Sequence, residues 1–378
     1  MRMTEKVIVV GGLLILVAAG FSVAVLPWIT RQDVDKPSDI ARPYTALEAR
    51  GRRVYISEGC TYCHSQYVRP QDWDNTATRI SQPGDYYYDK PHLLGSSRNG
   101  PDLSQEGGMR TGDWHLAHFF NPRYTRPASI MPEFKYLKKD ERDALIAYVQ
   151  YLGGKLADKR VTRMALWHAA LAKAYERGPD ANFAYLHSLV PAQWRTMPNP
   201  YGATTESLVR GKFVYEQECI GCHGNFGDGN GPASKYLYPK PANFSTLRRI
   251  GASGGLLYYQ VMNGINGTAM MPFKRELESE KIWDVSNYVA TTFIGHDDGN
   301  TAPRGEDEIQ EPVDLSNTPP DPDKVTAPPP TSSELQPDQD AANKRNKANG
   351  TSFVRPSGPR SKLTRPDHNG TTSEENPQ

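Results

Sequence analysis

What this sequence lacks excludes several functions. Its 378 residues carry 44 Lys and Arg against 43 Asp and Glu, so the basic surplus typical of nucleic-acid-binding proteins is missing. Only one uncharged apolar run is long enough to span a membrane, so the chain cannot form a membrane-embedded catalytic core alone. It contains only four cysteines, and their positions are informative.

The apolar run covers residues 7–30 and contains no charged side chain. It is long enough to cross the hydrocarbon core of a bilayer as one helix. The alternative is a cleaved secretory signal, but the apolar region of such a signal is usually only about 7–15 residues long. The length therefore predicts an uncleaved transmembrane anchor.

All four cysteines fall in two C-x-x-C-H segments, Cys60-Thr61-Tyr62-Cys63-His64 and Cys219-Ile220-Gly221-Cys222-His223. Two thiols at this spacing can form thioethers with the two vinyl groups of one porphyrin, and the adjacent histidine then binds the iron. For a single motif, a zinc site and a thioredoxin-like dithiol are the alternatives. Two copies without a spare cysteine predict two covalently bound haem c groups.

Haem attachment also predicts the orientation of the chain. The charges beside the apolar run decide little, since Arg2 and Lys6 precede it while Arg31 and Lys36 follow it. Covalent c-haem assembly takes place outside the cytoplasmic membrane in bacteria. We therefore expect a single-pass protein of the bacterial inner membrane with its haem domains on the periplasmic side.

The two motifs lie in an internal repeat. Residues 50–55 (RGRRVY) and 210–215 (RGKFVY) precede them and have the pattern of a short helix that runs into the haem-binding turn. Each unit later shows an amphipathic helix, whose apolar face carries Leu145, Tyr148 and Leu152 in the first and Ile282, Val285 and Val289 in the second. The order helix, C-x-x-C-H, irregular segment, Met-Pro, helix resembles the class I cytochrome c fold.

These patterns predict a mainly α-helical protein with five regions. They are a transmembrane anchor at 7–30, a cytochrome c domain at 45–154, a helical and Pro-rich linker at 155–203, a second cytochrome c domain at 204–295 and a disordered tail at 296–378. Within the linker, apolar spacing predicts a helix over 160–177, and the Pro-rich stretch 190–200 is a linker or a strap across a surface. The tail has almost no large apolar residues and cannot bury enough surface to fold.

A Met-Pro pair lies between the haem-binding turn and the last helix of each unit. It supplies Met131 in the first unit and Met271 in the second, where Met270 is a competitor. A His/Met pair closes both faces of an electron-transfer haem and raises its reduction potential relative to two histidines. Core packing is the alternative for a methionine, but the position in the repeat favours ligation. We predict His64 with Met131 and His223 with Met271 as metal ligands.

Other residues near the motifs have two interpretations each. In class I cytochromes a proline carbonyl in such a segment accepts a hydrogen bond from the axial histidine, so Gly100-Pro101 and Gly231-Pro232 either orient His64 and His223 or are ordinary turns. His115 and His118 are ligands of a bis-His haem or metal site, or, as we favour, surface or supporting residues. Arg98 neutralises a haem propionate or makes a surface ion pair.

The first two-fifths of the chain resemble the membrane-anchored mono-haem subunit, subunit II, of cbb3-type cytochrome c oxidases. The segments that carry the resemblance are residues 43–48 (PYTALE), 58–66 (EGCTYCHSQ), 68–70 (VRP), 88–91 (YDKP), 94–98 (LGSSR), 100–103 (GPDL), 114–118 (WHLAH) and 121–132. The resemblance implies a subunit packed against a haem-copper catalytic subunit and other oxidase subunits, with His64 and Met131 as the axial pair. The second unit departs from this family. Its segments 227–232 (GDGNGP) and 240–244 (KPANF) resemble the mobile class I domains of the dihaem subunit of such oxidases and of many respiratory chains.

The sequence therefore predicts a dihaem electron-transfer subunit of a cbb3-type oxidase, without catalytic residues of its own. Electrons from a periplasmic cytochrome c or another donor would enter at the second haem and leave through the first. An anchored carrier that serves a nitric oxide reductase or several complexes is the alternative. A dihaem peroxidase is disfavoured because both units offer a methionine where that chemistry needs an open iron site.

Overall fold

We analysed the chain in a computed structural model that describes residues 3–30, 36–70, 79–247, 252–274, 276–295 and 318–324. All regular secondary structure in these ranges is helical, which confirms the prediction of a mainly α-helical protein. The first helix, α1, runs over Met3–Thr30, and one wider turn, Phe21–Val25, interrupts its regular winding. None of its residues is buried, and among the described helices it is the one long and apolar enough to cross a membrane.

The first domain contains three helices: α2 (Ala46–Ser57), α3 (Gly112–Phe120) and α4 (Lys139–Tyr151). Thr45 begins α2 by accepting a hydrogen bond from the backbone N–H of Glu48, whose side chain bonds back to Thr45. This capping box satisfies two helix-end N–H groups.

The linker is mostly helical and packs against its neighbours. Helix α5 covers Gly154–Glu176, α6 Pro179–Ser188 and the short α7 Ala192–Arg195. Helix α5 begins six residues before the predicted start, directly after Gly153, which breaks α4 at φ 107°. Val190 and Trp194 are buried in the core of the second domain. The Pro-rich stretch is therefore a strap across that domain.

The second domain repeats the arrangement of the first. Its helices are α8 (Thr205–Val214), α9 (Ile220–His223), α10 (Phe244–Leu247), α11 (Gly254–Asn263) and α12 (Ser279–Val289). The apolar faces predicted for the last helix of each domain are confirmed. Leu145, Tyr148, Leu152, Ile282, Val285 and Val289 are all buried.

In each domain the first and last helices cross at a glycine. A Cβ on Gly51 of α2 would lie 1.8 Å from the carbonyl oxygen of Ala144, and one on Gly211 of α8 would lie 2.0 Å from that of Asp284. One turn further on, tyrosines meet across each crossing, with ring centroids 5.2 Å apart for Tyr55 and Tyr148 and 5.5 Å apart for Tyr215 and Tyr288. The repeated Arg-Gly-x-x-Val-Tyr segment is thus a helix-crossing motif.

Most of the predicted tail lies outside the described residues, but 318–324 are described and contact the linker helices. The hydroxyl of Tyr185 donates to the carbonyl of Pro320 at 2.8 Å, and Asp323 pairs with Lys173 and Arg177. The sequence analysis did not predict this contact, because the composition of the segment is that of a solvated chain.

The crossing at Gly211 allows a direct test of its role in folding. We expect Gly211→Ala to lower the free energy of unfolding by about 1–3 kcal/mol or more, since the added methyl collides with backbone that cannot rotate away. Val209→Ala, on the exposed face of the same helix, should change it by less than about 0.5 kcal/mol. Thermal or denaturant unfolding of the two variants measures the difference. Equal free energies of unfolding for the two variants would show that the helix crossing at Gly211 does not require a glycine.

Candidate haem sites

The first C-x-x-C-H segment directly follows α2. Gly59 adopts a left-handed conformation at φ 72°, and Cys60–Tyr62 form a tight turn behind it. The backbone N–H of His64 then donates to the carbonyl of Cys60 at 2.9 Å. Cys60 is half-buried and Cys63 is exposed, so both thiols lie on the same short turn as the histidine.

The ring of His64 is oriented by the segment Gly100-Pro101. Its Nδ1 donates to the carbonyl of Pro101 at 2.8 Å, as the sequence predicts. Gly100 donates its N–H to the carbonyl of Cys63 at 3.0 Å, and a Cβ there would lie 2.2 Å from Cε1 of His64. With Nδ1 engaged, Nε2 remains as the nitrogen for a metal bond.

Arg98 contacts the residues that directly follow the first haem motif. Its Nε donates to the hydroxyl of Ser65 at 2.7 Å, a terminal nitrogen donates to the carbonyl of Tyr67 at 2.7 Å, and its guanidinium lies 3.5 Å from Asp102. The pair with Asp102 is the ion pair expected from the sequence as one of two roles for Arg98. It is made within the loop that follows the haem motif.

Met131 lies in the first domain's apolar core. It is half-buried and packs, together with Cys60, against the cluster formed by Tyr55, Phe134 and Leu145 among others. The loop that carries it is tied to α3, because the N–H of Phe134 donates to the carbonyl of Phe119 at 2.9 Å. The structure therefore brings Met131 and the first haem motif to one cluster.

The second motif follows a wider turn at Tyr215–Cys219 and occupies α9. His223 does not use the segment Gly231-Pro232. Its Nδ1 donates to the carbonyl of Ala242 at 3.3 Å, and its ring stacks on Phe244 with centroids 4.5 Å apart. Gly231 donates its N–H to the carbonyl of Cys222 at 3.1 Å, as Gly100 does to that of Cys63, but the acceptor for the histidine is Ala242 and not Pro232.

A cavity of about 560 Å³ opens beside the second motif. Its lining includes every residue predicted for that site: Cys219, Cys222, His223, Met271 and the competitor Met270. Apolar side chains such as Leu257, Val285 and Val289 form much of the remaining wall. Sites for cofactors typically measure about 300–1,000 Å³ and are mainly apolar. Size, lining and donor set therefore fit a porphyrin with two thioether links.

Burial favours the neutral forms of three of the donor groups, the thiols of Cys60 and Cys222 and the imidazole of His223. It raises the pKa of the thiols of Cys60 and Cys222 to about 12 and lowers the pKa of His223 to about 4. Neutral imidazole is the form that binds iron. The histidine is thus in its ligand form across the physiological pH range.

His115 and His118 lie on α3 away from both motifs in sequence. His115 is buried, its Nε2 lies 3.6 Å from Glu106, and burial lowers its pKa to about 3. His118 shares a 2.6 Å hydrogen bond with the hydroxyl of Thr125 and stacks on Trp114 at 4.6 Å. Within the described ranges no group of three or more His, Cys, Asp and Glu side chains is arranged to hold a metal. The observed contacts of the two histidines, with Glu106, Thr125 and Trp114, are those expected of supporting residues.

Two contacts that shape the second site cannot be predicted from the sequence. The carbonyl of Ala242 and the ring of Phe244 belong to residues 240–244 (KPANF), a segment typical of class I domains, but the segment by itself does not show that it orients His223. The same is true of Gly221, where a Cβ would lie 2.2 Å from the carbonyl oxygen of Tyr124 in the first domain. Nothing in the local pattern distinguishes this glycine from any residue between two haem cysteines.

The two halves of the chain match different protein families. Residues 2–147 match the family described as cytochrome c oxidase, mono-heme subunit/FixO, and residues 208–293 match the cytochrome c family. No curated protein matches the chain. Among solved structures, a chain of the reducing HAO-like protein complex Kustc0457/Kustc0458 of Kuenenia stuttgartiensis is 19% identical over 68% of this chain and 99% of its own. Its TM-score is 0.23, too low to carry an argument.

Two cytochrome c domains behind a membrane-spanning helix define a membrane-anchored electron-transfer cytochrome c, with haem c bound covalently. More particularly, residues 2–147 match the FixO-type mono-haem subunit of cbb3-type oxidases, and residues 208–293 add a second cytochrome c domain. The resemblance predicted for the first two-fifths of the chain is thereby confirmed, as is the predicted fold.

The contact between Gly100 and His64 leads to a test at the first site. We expect Gly100→Ala to displace the imidazole, since the added methyl would lie 2.2 Å from its Cε1, and so to lower the reduction potential of that site. Gly112→Ala is the control, because its Cβ would meet only Ile146 at 3.6 Å. Redox titration followed by absorbance measures both. An unchanged potential in the first variant would contradict the assigned ring contact.

Proposed function

We propose that this chain is a dihaem electron relay within a cbb3-type oxidase. Electrons from a periplasmic donor enter at the second site, move to the first and leave for the haem-copper catalytic subunit. Each haem, when bound, supplies a centre that accepts and releases one electron. The cavity that gathers Cys219, Cys222, His223 and Met271 carries this proposal, because it provides a second complete donor set beyond the FixO-type domain.

The side chains divide the work at each site. Cys60 and Cys63, or Cys219 and Cys222, would attach the porphyrin, and His64 or His223 would bind its iron through Nε2. The carbonyls of Pro101 and Ala242 hold these rings in orientation. Met131 and Met271 would supply the second iron ligands, which would exclude water and exogenous ligands.

The position of the second site supports the proposed order. Trp114 and Thr125 of the first domain contribute to the wall of its cavity, so the site borders that domain directly. The first domain follows the membrane anchor in sequence, on what we infer to be the periplasmic side. An electron that enters at the second site therefore has the first site as its neighbour on the way to the membrane.

Removal of one axial methionine tests the order of transfer. We expect Met271→Ala to lower the reduction potential of the second site and to slow the reduction of both sites by an external donor, because entry precedes relay. Met270→Ala, on the neighbouring residue of the same wall, should leave both rates unchanged. Stopped-flow absorbance resolves the two sites. If the first site in Met271→Ala is reduced at the original rate, the order is wrong.

Purification of the intact complex tests the function itself. We expect the chain to copurify from detergent with a multi-span haem-copper subunit and to carry two haem c groups per polypeptide, measured by mass spectrometry. A nitric oxide reductase partner would establish the alternative of a carrier for that enzyme. An isolated chain that turns over peroxide would establish the peroxidase alternative, and either result overturns the proposal.

A further inference from the structure

The second haem motif lies against the first domain. Gly221, between its cysteines, has no room for a side chain because the carbonyl oxygen of Tyr124 occupies the position. Beside this contact, Ala117 of α3 packs with Ala233 and Leu237 of the second domain in a small cluster that Cys222 and Tyr124 extend. Ala117 and Ala233 are completely buried. The contact is therefore close and apolar at its centre.

Charged groups surround this apolar centre. Arg126 pairs with Glu218, directly before Cys219, and also with Glu276. A second arginine, Arg110, lies 3.7 Å from Glu276. The backbone N–H of Tyr238 donates to Asp113 at 3.0 Å. One arginine shared between two carboxylates of the other domain holds the surfaces in a defined orientation more firmly than an isolated exposed pair.

The connecting helix α5 makes a second contact of the same kind. A Cβ on Gly267 would lie 2.4 Å from the backbone nitrogen of His168, and Nδ1 of His168 donates to the carbonyl of Gly267 at 2.9 Å. Leu171 and Ala174 of α5 form a buried cluster against which Ile265 packs. The second domain is thus held on two sides.

Helix α3 borders both sites. Trp114 and Thr125 line the second cavity, and His118 stacks on Trp114 and is hydrogen bonded to Thr125. Phe119 of the same helix is buried in the cluster on which Met131 of the first site packs. Helix α3 and the turn that follows it therefore lie between the cluster of the first site and the second cavity.

We propose that residues 112–126 of the first domain bridge the two haem sites, with Arg126 clamping the second haem motif in place and Trp114 and His118 setting the distance between the sites. The purpose assigned to the bridge rests on the proposed relay function, while the clamp itself does not. The three side chains are positioning residues. The second domain accordingly keeps one position relative to the first domain, whereas the domains that its sequence resembles are mobile.

Amide hydrogen exchange of the full-length, haem-loaded protein tests the clamp. We expect Arg126→Gln to accelerate exchange at 117–126 and 219–224 by about tenfold, because the interface opens more often without its shared ion pairs. Arg50→Gln is the matched control, since Arg50 pairs with Asp140 within the first domain. It should leave exchange in both segments unchanged. Equal exchange in Arg126→Gln and the unsubstituted protein overturns the clamp.

Electron equilibration between the sites tests the bridge. We expect Trp114→Leu to slow equilibration after flash reduction by about tenfold or more, since small displacements of reacting groups have large effects on rate. Trp114→Phe should restore most of the rate. Absorbance spectra confirm that both haems keep their ligands, so misfolding is distinguished from loss of the bridge. Equal rates in Trp114→Leu and Trp114→Phe overturn the assignment.

The outcomes separate this proposal from the relay function. If Arg126→Gln accelerates amide exchange as expected but the chain copurifies with no oxidase, the role of Arg126 at the interface is supported and the proposed function is wrong. If the chain copurifies with the oxidase but Arg126→Gln changes neither exchange nor equilibration, the function holds and the fixed interface is wrong.

Discussion

The close crossing of two helices in each domain is the constraint on which the rest depends. Gly51 and Gly211 let the first helix approach the backbone of the last helix, and the tyrosine pairs one turn away fix the angle. Because the haem motif follows that first helix within a few residues, the crossing also determines where the cysteines and histidine project. A side chain at either glycine would separate the helices and move the motif with them.

The two haem sites orient their axial histidines through different backbone carbonyls. His64 is oriented by the carbonyl of Pro101, 37 residues after it, whereas His223 takes the carbonyl of Ala242, 19 residues after it, and an aromatic stack on Phe244. Both arrangements leave Nε2 as the metal-binding nitrogen. The requirement is a carbonyl acceptor at the right place, and backbone from more than one part of a chain can meet it.

The fusion of the two domains is more than a covalent link. A FixO-type subunit and a cytochrome c domain share a buried apolar contact, a shared arginine and a connecting helix. Domains joined by flexible linkers usually move relative to each other unless their interface is extensive. Here the strap around Trp194 and the contact at Gly267 add to the interface, so a relay between fixed sites is a more natural expectation than a swinging carrier.

The sequence by itself determined the anchor, the two haem motifs, the repeat and the FixO resemblance, because these depend on residue type and local spacing. The same is true of the apolar faces of the last helices and of Pro101, which lies in a recognisable segment. Only the tertiary structure decided that Ala242 orients His223, that Gly221 must be small and that Arg126 joins the domains. These depend on which distant backbone and charges meet, and a single sequence contains no local pattern for such meetings.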